Sequence, residues 1–146
     1  MYILGINAYH GDASASLLKD GVVIAASEEE RFRRIKHWAG FPSEAINFCL
    51  KDAGLTIDQI DYITISRDPK KNLLKKFLYI IRHSFNYSSL LDRIKNSKKI
   101  FSLKNQLSIS LGVKLSDISA TIYNIEHHRS HLASSFFASR FKEAAL

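Results

Sequence analysis

Apolar and polar positions divide the start of the chain into three short strands. Residues 2–7, YILGIN, form a brief apolar run that is typical of a buried strand. The stretch SASLLKDGVVIAASEEE, from Ser14, predicts two further strands joined at Asp20 and Gly21. This assignment follows because Asp-Gly supplies the positive φ angles that tight hairpin turns need. The three strands together predict an antiparallel meander.

A helix and a fourth strand are predicted next. The stretch FPSEAINFCLKDAGL has Pro42 at its start and Gly54 at its end, an asymmetry typical of helices. Its apolar residues follow the 3.6-residue helical period: Ala45, Ile46, Cys49, Leu50 and Ala53. Thr56 and Gln59 then predict the capping box of one short turn. Residues 62–67, YITISR, predict a further strand.

The rest of the chain predicts a helical insertion, a strand and a helix. Residues 69–112 predict two or three amphipathic helices, and residues 120–126, ATIYNIE, predict a strand. A helix is predicted from Ser130, and the final EAAL has the pattern of a strand that is just beginning. The order β-β-β-α-β, helical insertion, β-α is that of the ribonuclease H-like lobe of actin-like ATPase folds. We therefore expect an α/β fold with a mixed sheet.

Composition places the chain among ordinary globular proteins. It has 146 residues, enough for one domain with a real core, and is 46% hydrophobic and 24% charged. The single cysteine, Cys49, cannot form an intrachain disulfide, which fits a reducing compartment. The N-terminus lacks the pattern of a secretory signal, and no apolar run is long enough to span a membrane. We expect a soluble, cytoplasmic protein without membrane association.

The positive charge is concentrated in one part of the chain. The formal net charge is +7, yet over half of the lysines and arginines lie between Arg67 and Lys104. Such a basic insertion is usually a solvated helical face, or a surface for a partner or an anionic substrate. Nucleic acid is disfavoured as a partner, because a basic patch alone is weak evidence for it.

The stretch IEHHRSHLASSFFASR places three of the six histidines within five residues. On a helix, His127 and His131 would share one face and could bind a single metal ion. The glutamate of a zincin HExxH motif is absent, which disfavours a metalloprotease. The alternative is that these histidines cap the helix or fill a polar site. Two imidazoles also leave a metal short of ligands, so at least one carboxylate would have to come from elsewhere.

Two other stretches carry candidate chemistry. In HGDAS, His10 and Asp12 combine an imidazole with a carboxylate, although Asp12 could equally form a simple Asx turn. Gly11 between them would let a ligand approach the backbone closely. In the folds named above, this turn from Asn7 to Ser14 presents backbone N–H groups to phosphate.

The second stretch is EEERFRRIKHWAGFP, residues 28–42. It is either a plain charged loop or a segment in which Arg34, Lys36 or His37 reaches anionic groups. An arginine would act there as a bidentate clamp and a lysine as a point charge.

Together these motifs resemble one family. LGINAYHGDASASLLKDGVVIAASEEERFRRIKHWAGFP and IEHHRSHLASSFFAS are similar to the nodulation-type O-carbamoyltransferases, including those that carbamoylate antibiotics. The resemblance implies an actin-like ATPase domain related to tRNA threonylcarbamoyl transferases, followed by an adenylate-forming domain. It also implies a reaction in which carbamoyl phosphate and ATP give a carbamoyl-adenylate. A hydroxyl of a small-molecule acceptor would then attack the carbamoyl carbon.

The resemblance also implies roles for individual residues. His127 and His131 would bind Fe²⁺, or another divalent metal, beside the nucleotide. His10, Asp12 and Lys36 would be catalytic: the first two would orient the acceptor hydroxyl or the carbamoyl group, and Lys36 would contact the carbamoyl-adenylate. The remaining residues would bind substrate or nucleotide: Asn7, Gly11, Ser14, Arg34, His37 and His128.

The chain is shorter than members of that family, which continue for several hundred residues. Residues 1–146 are therefore expected to form an incomplete N-terminal lobe, with a basic helical insertion at about 69–112 and an exposed apolar face. Its expected partners are the missing C-terminal part of the same enzyme and a second copy of the chain in a homodimer. The lobe alone is expected to lack transfer activity. The alternatives are a tRNA threonylcarbamoyl or hydrogenase-maturation carbamoyl transferase, and a non-catalytic half-domain that binds a metal or a partner.

Overall fold

The computed structural model describes residues 1–67 and 103–144. Their strands form one five-stranded mixed sheet in the order β3-β2-β1-β4-β5. The strands are β1 (Tyr2–Asn7), β2 (Ser14–Lys19), β3 (Val22–Glu28), β4 (Tyr62–Ile65) and β5 (Thr121–Asn124). β2 runs antiparallel to both β1 and β3, whereas β4 runs parallel to β1 and β5. The predicted meander and the predicted α/β fold class are both confirmed.

The hairpin between β2 and β3 has the predicted turn. Asp20 and Gly21 have φ angles of 51° and 86°, so both lie in the left-handed region that a type I′ turn requires. Asp20 also accepts a hydrogen bond of 2.7 Å from the N-terminal ammonium group. This contact lowers the pKa of the Asp20 carboxyl group and ties the start of β1 to the hairpin.

Four α-helices lie in the described residues. They are α1 (Glu30–Arg33), α2 (Ser43–Asp52), α3 (Leu103–Leu111) and α4 (His127–Phe137). The predicted capping box of Thr56 and Gln59 is present on a short 3₁₀ turn, Ile57–Gln59. The predicted start of the last helix was wrong by three residues. Helix α4 begins at His127 because the carbonyl of Glu126 already accepts the first helical hydrogen bond, from the Ser130 N–H at 3.0 Å.

The hydrophobic core covers one face of the sheet. Alternate strand residues point to that face, and α2 packs on β2 and β3. Most of the buried residues come from β1, β2, β4, α2 and α3: Leu4, Ile6, Ala15, Leu17, Ile63, Ile65, Ala45, Ile46, Cys49, Leu50, Leu103 and Leu107. The helical period predicted for α2 is therefore confirmed by the residues it buries.

The predicted basic insertion falls largely outside the described residues. Of its range, Leu103–Leu111 is helical, as predicted, and residues 68–102 lie outside the described part. The predicted strand at EAAL is not formed at Glu143 and Ala144, where the backbone pairs with no described strand, and residues 145–146 are not described. Within the described ranges, no helix has the length and apolar character needed to cross a membrane.

Candidate functional site

The second face of the sheet carries polar and small side chains at its centre. Its side chains alternate with those of the core, and Gly5 lies beside Ser16 on β2 and Thr64 on β4. A Cβ atom at Gly5 would lie 2.8 Å from the Oγ of Ser16, so a side chain there would displace the serine. Small residues at the centre of this face thus leave room for a ligand.

A cleft of about 850 Å³ lies over this polar face. The loop between β1 and β2 forms one wall, and helix α4 forms another. The lining groups that bear on chemistry come from these two elements, from the ends of strands and from α1: Asn7, His10, Gly11, Asp12, Ser14, Arg31, Ser66, His127, Ser130, His131 and Ser134. Clefts with a few convergent polar groups are the usual setting of binding and catalytic sites.

The β1–β2 loop is held in a strained conformation. Tyr9 and Asp12 have φ angles of 66° and 63°, in the left-handed region that non-glycine residues rarely adopt. The Asn7 amide donates to the Asp12 carbonyl at 3.0 Å and accepts a hydrogen bond of 2.8 Å from the hydroxyl of Ser66. Strain of this kind persists where the surroundings fix the backbone, and it clusters at functional sites.

Three histidines meet at the cleft. The Nε2 atoms of His127 and His131 are 3.1 Å apart, one turn from each other on α4. The ring of His10 meets that of His127 edge to face, with 5.1 Å between their centroids. His10 Nδ1 lies 3.1 Å from the carbonyl oxygen of Gly11, so this nitrogen carries the proton and donates it. His10 Nε2 therefore has the lone pair, and it has no hydrogen-bond partner in the described residues.

The histidine pair on α4 has the spacing of two ligands to one metal ion. Two nitrogens 3.1 Å apart can both lie about 2.0–2.1 Å from a single ion, the usual metal–imidazole distance. Across residues 1–67 and 103–144, no group of three or more side chains is arranged to hold a metal. The separation of this pair is compatible with the two ligands that the sequence predicts, and their role as ligands stays a prediction.

The loop between β3 and α2 is anchored by a buried carboxylate. Glu29 is fully buried, and it accepts hydrogen bonds from Arg33 Nε at 2.6 Å and from the Ala45 N–H at 2.8 Å. The Arg33 guanidinium also lies 4.6 Å from the centre of the Trp38 ring, a cation–π contact. Glu29 thus holds the start of α2 and the charged segment together.

The same loop contacts the β1–β2 loop through His37. His37 Nδ1 lies 2.8 Å from Asp12 Oδ1, and the hydrogen bond and negative charge of Asp12 raise the pKa of the imidazole. Two backbone hydrogen bonds join the loops on either side, from Tyr9 N–H to the Gly40 carbonyl and from Ala13 N–H to the Trp38 carbonyl. The two loops therefore form one rigid unit.

The structure brings together most of the residues predicted for the site. Asn7, His10, Gly11, Asp12, Ser14, His127 and His131 all line the cleft. Four others are exposed and lie outside its described lining: Arg34, Lys36, His37 and His128. Of these, His37 contacts Asp12, and His128 Nδ1 lies 3.7 Å from a carboxylate oxygen of Glu126. The functional roles of all eleven residues stay predictions.

Sequence reasoning missed several groups around the cleft. Ser66 and Thr64 belong to β4 or its end, and Arg31 belongs to the unpredicted helix α1. One signal for the polar face was available: Ser14 and Ser16 alternate with apolar residues along β2. No comparable signal marked Glu29 as buried, since it lies in a run of three glutamates.

The fold and the cleft define a class: an α/β domain with a mixed five-stranded sheet and a histidine-lined cleft over the polar face of that sheet. Residues 2–146 match the family described as Carbamoyltransferase N-terminus. The chain belongs to this family, which confirms the resemblance seen in the sequence.

The chain is also similar to individual proteins. The chain is 40% identical to the uncharacterized protein sll1178 of Synechocystis, over 99% of this chain and 24% of that protein. It is 31% identical to the Nodulation protein NolNO of Sinorhizobium fredii, over 96% of this chain and 19% of that protein. The chain thus spans about a fifth to a quarter of these relatives. Among solved structures, YeaZ from Pseudomonas aeruginosa is similar, with a TM-score of 0.44, 12% identity and coverage of 92% of this chain and 49% of that chain.

Proposed function

We propose that this chain is the N-terminal part of an O-carbamoyltransferase. The complete enzyme would use carbamoyl phosphate and ATP to make a carbamoyl-adenylate and pass the carbamoyl group to a hydroxyl of a small molecule. Family membership and the greater length of the relatives support this proposal. The observation that carries it is the convergence of His10, Asp12, His127 and His131 on one cleft.

His10 would accept the proton of the acceptor hydroxyl at Nε2, which is buried beside the His127 ring and would have to become accessible as the acceptor binds. Its Nε2 atom bears the lone pair, because Nδ1 donates to the Gly11 carbonyl. As the hydroxyl oxygen bonds to the carbamoyl carbon, its proton passes to His10, and the bond from that carbon to the adenylate phosphate oxygen breaks to release AMP. Imidazole is the side chain that most often takes part in proton transfer of this kind.

His127 and His131 would hold the divalent metal, Fe²⁺ by family resemblance. Their 3.1 Å nitrogen separation fits this role, and further ligands would come from parts of the enzyme outside the described residues. A bound divalent cation supplies positive charge that stabilises the anionic groups of a nucleotide or a developing oxyanion.

The remaining binding groups are cationic side chains and the N–H groups of the β1–β2 turn. Arg31 lines the cleft, and Lys36 and Arg34 lie on the adjoining exposed loop, where they would reach phosphate or adenylate oxygens. Asn7, Gly11 and Ser14 belong to the turn that would face phosphate. A cytoplasmic location would give such an enzyme access to ATP and carbamoyl phosphate.

The rest of the enzyme would cover helix α4. No residue of α4 is buried, and Leu132 and Phe137 expose 47% and 81% of their surface. Large apolar side chains exposed on a helix are expected where another part of the protein docks. This exposure supports an incomplete lobe over an independent binding module.

The metal site is tested by elemental analysis of full-length variants. The wild-type protein should retain about one tightly bound divalent ion per chain. His127→Ala and His131→Ala should each lose most of the metal. His128→Ala is the matched control, since the His128 side chain is exposed and lies outside the described lining of the cleft, and this variant should keep the metal. Equal loss in His128→Ala would refute this ligand pair.

The reaction is tested by the release of pyrophosphate from ATP. The full-length protein should release it only when carbamoyl phosphate is present, and His10→Ala should still release it but fail to carbamoylate an acceptor. Metal binding without any such release would favour the alternative of a non-catalytic metal-binding half-domain.

A further inference from the structure

The contact between His37 and Asp12 joins the charged loop to the wall of the cleft. Asp12 Oδ1 is held at 2.8 Å by His37 Nδ1, whereas Asp12 Oδ2 has no hydrogen-bond partner among the described residues. Asp12 lines the cleft and His37 lies behind it, outside the described lining. The carboxylate therefore has one oxygen fixed from outside and one oxygen left for a ligand.

The backbone on both sides is built to make this contact. Asp12 and His37 both have left-handed backbone angles, with φ of 63° and 55°. Each such residue costs free energy, so two of them facing one another need surroundings that hold them. Glu30 on α1 helps to hold the backbone of His37, because the Glu30 carboxylate accepts a hydrogen bond of 3.1 Å from the His37 N–H. The backbone hydrogen bonds between the two loops provide the rest.

We propose that His37 is a positioning residue, whose imidazole fixes the Asp12 carboxylate so that Oδ2 accepts a hydrogen bond from a donor group of the acceptor next to the reacting hydroxyl, whose own proton faces His10. The inference rests on the proposed function and deepens it. A carboxylate held at one oxygen presents the other in a defined direction, and correct orientation of a nucleophile contributes strongly to rate. His37 thus acts through Asp12 without touching the substrate.

The charge of His37 makes this positioning dependent on pH. The groups that face the imidazole are Asp12 from the β1–β2 loop and Glu30 from α1, and both raise its pKa; Arg34 and Lys36 are its neighbours along the chain. A protonated imidazole donates a charge-assisted hydrogen bond, which is stronger than a neutral one. The hold on Asp12 therefore weakens as the pH rises through the pKa of His37.

Two substitutions separate the hydrogen bond from the charge. His37→Ala removes both, whereas His37→Asn keeps a donor near the position of Nδ1 and suits the left-handed backbone. In the full-length enzyme, His37→Ala should lower kcat/KM for the acceptor by about ten- to a hundredfold. The kcat/KM of His37→Asn should lie within about threefold of the wild-type value. Its KM should lack the pH dependence that the wild type shows near neutrality. Ile35→Ala, an exposed neighbour in the same loop, is the control and should match the wild type.

The pair itself is tested without any activity. Histidine NMR titration of the 146-residue chain should show the His37 pKa falling toward the free value of about 6.5 in Asp12→Asn. An unchanged His37 pKa would overturn the inference, as would equal losses in His37→Ala and His37→Asn, or wild-type kinetics in His37→Ala. If the wild-type enzyme transfers no carbamoyl group, the proposed function fails, and the NMR result still decides whether the pair exists.

Discussion

Removing the Glu29 carboxylate should destabilise the fold more than any other single change in the run of three glutamates. Glu29 is fully buried, and its carboxylate accepts a hydrogen bond from a backbone N–H in the first turn of α2. The N-cap residue of α2, Pro42, has no side chain that could accept it. The two oxygens of Glu29 separately accept Arg33 Nε and the Ala45 N–H. Glu29→Ala leaves both donors without this partner.

The magnitude follows from these two contacts. An unsatisfied buried N–H costs about 1–3 kcal/mol, and Ala45 is fully buried, so about 2 kcal/mol is expected from its N–H. The Arg33 pair adds about 1 kcal/mol, a reduced value because a third of that side chain is exposed to solvent. The free energy of unfolding should therefore fall by about 3 kcal/mol.

Urea denaturation of the chain, followed by circular dichroism, measures this loss. With a denaturant dependence of about 2 kcal/mol/M, the midpoint should fall by about 1.5 M. Glu28→Ala is the matched control, since Glu28 is exposed, and its free energy of unfolding should change by less than about 0.5 kcal/mol. Equal effects of the two substitutions would show that Glu29 does not clamp the loop.

Three further predictions concern His37, Cys49 and Lys36. The folded protein raises the pKa of His37, so its contact with Asp12 stabilises the fold fully below the unfolded pKa of about 6.5. This stabilisation is lost as the pH rises through the folded pKa. The urea midpoints of wild type and His37→Asn should therefore differ more at pH 6 than at pH 9. Burial raises the pKa of the Cys49 thiol, so alkylation at pH 8 should be at least about a hundredfold slower in the folded chain than in urea, and comparable rates would contradict its burial. Lys36→Ala in the full-length enzyme should abolish carbamoyl transfer with an unchanged urea midpoint, because an exposed lysine contributes little to stability; retained turnover would make Lys36 an ordinary surface charge.

The sequence by itself determined the local elements and the family. The period-2 pattern around Asp20 and Gly21 predicted the hairpin, and the period-3.6 pattern from Ala45 to Ala53 predicted α2, because each depends on interactions between residues close in the chain. The same holds for the spacing of His127 and His131, which is a property of one helix. Long motifs from both ends of the chain identified the carbamoyltransferase family.

Only the tertiary structure decided which of these residues meet. His10 contacts His127 because β1 and β5 both lie parallel to β4 in one sheet, so the segments that follow them are at the same edge. His37 contacts Asp12, and Glu29 is buried against Ala45, through pairings between loops that leave no periodic pattern in the sequence. Hydrophobic periodicity records which face of an element is buried, whereas a polar contact between distant loops depends on the packing of the whole domain.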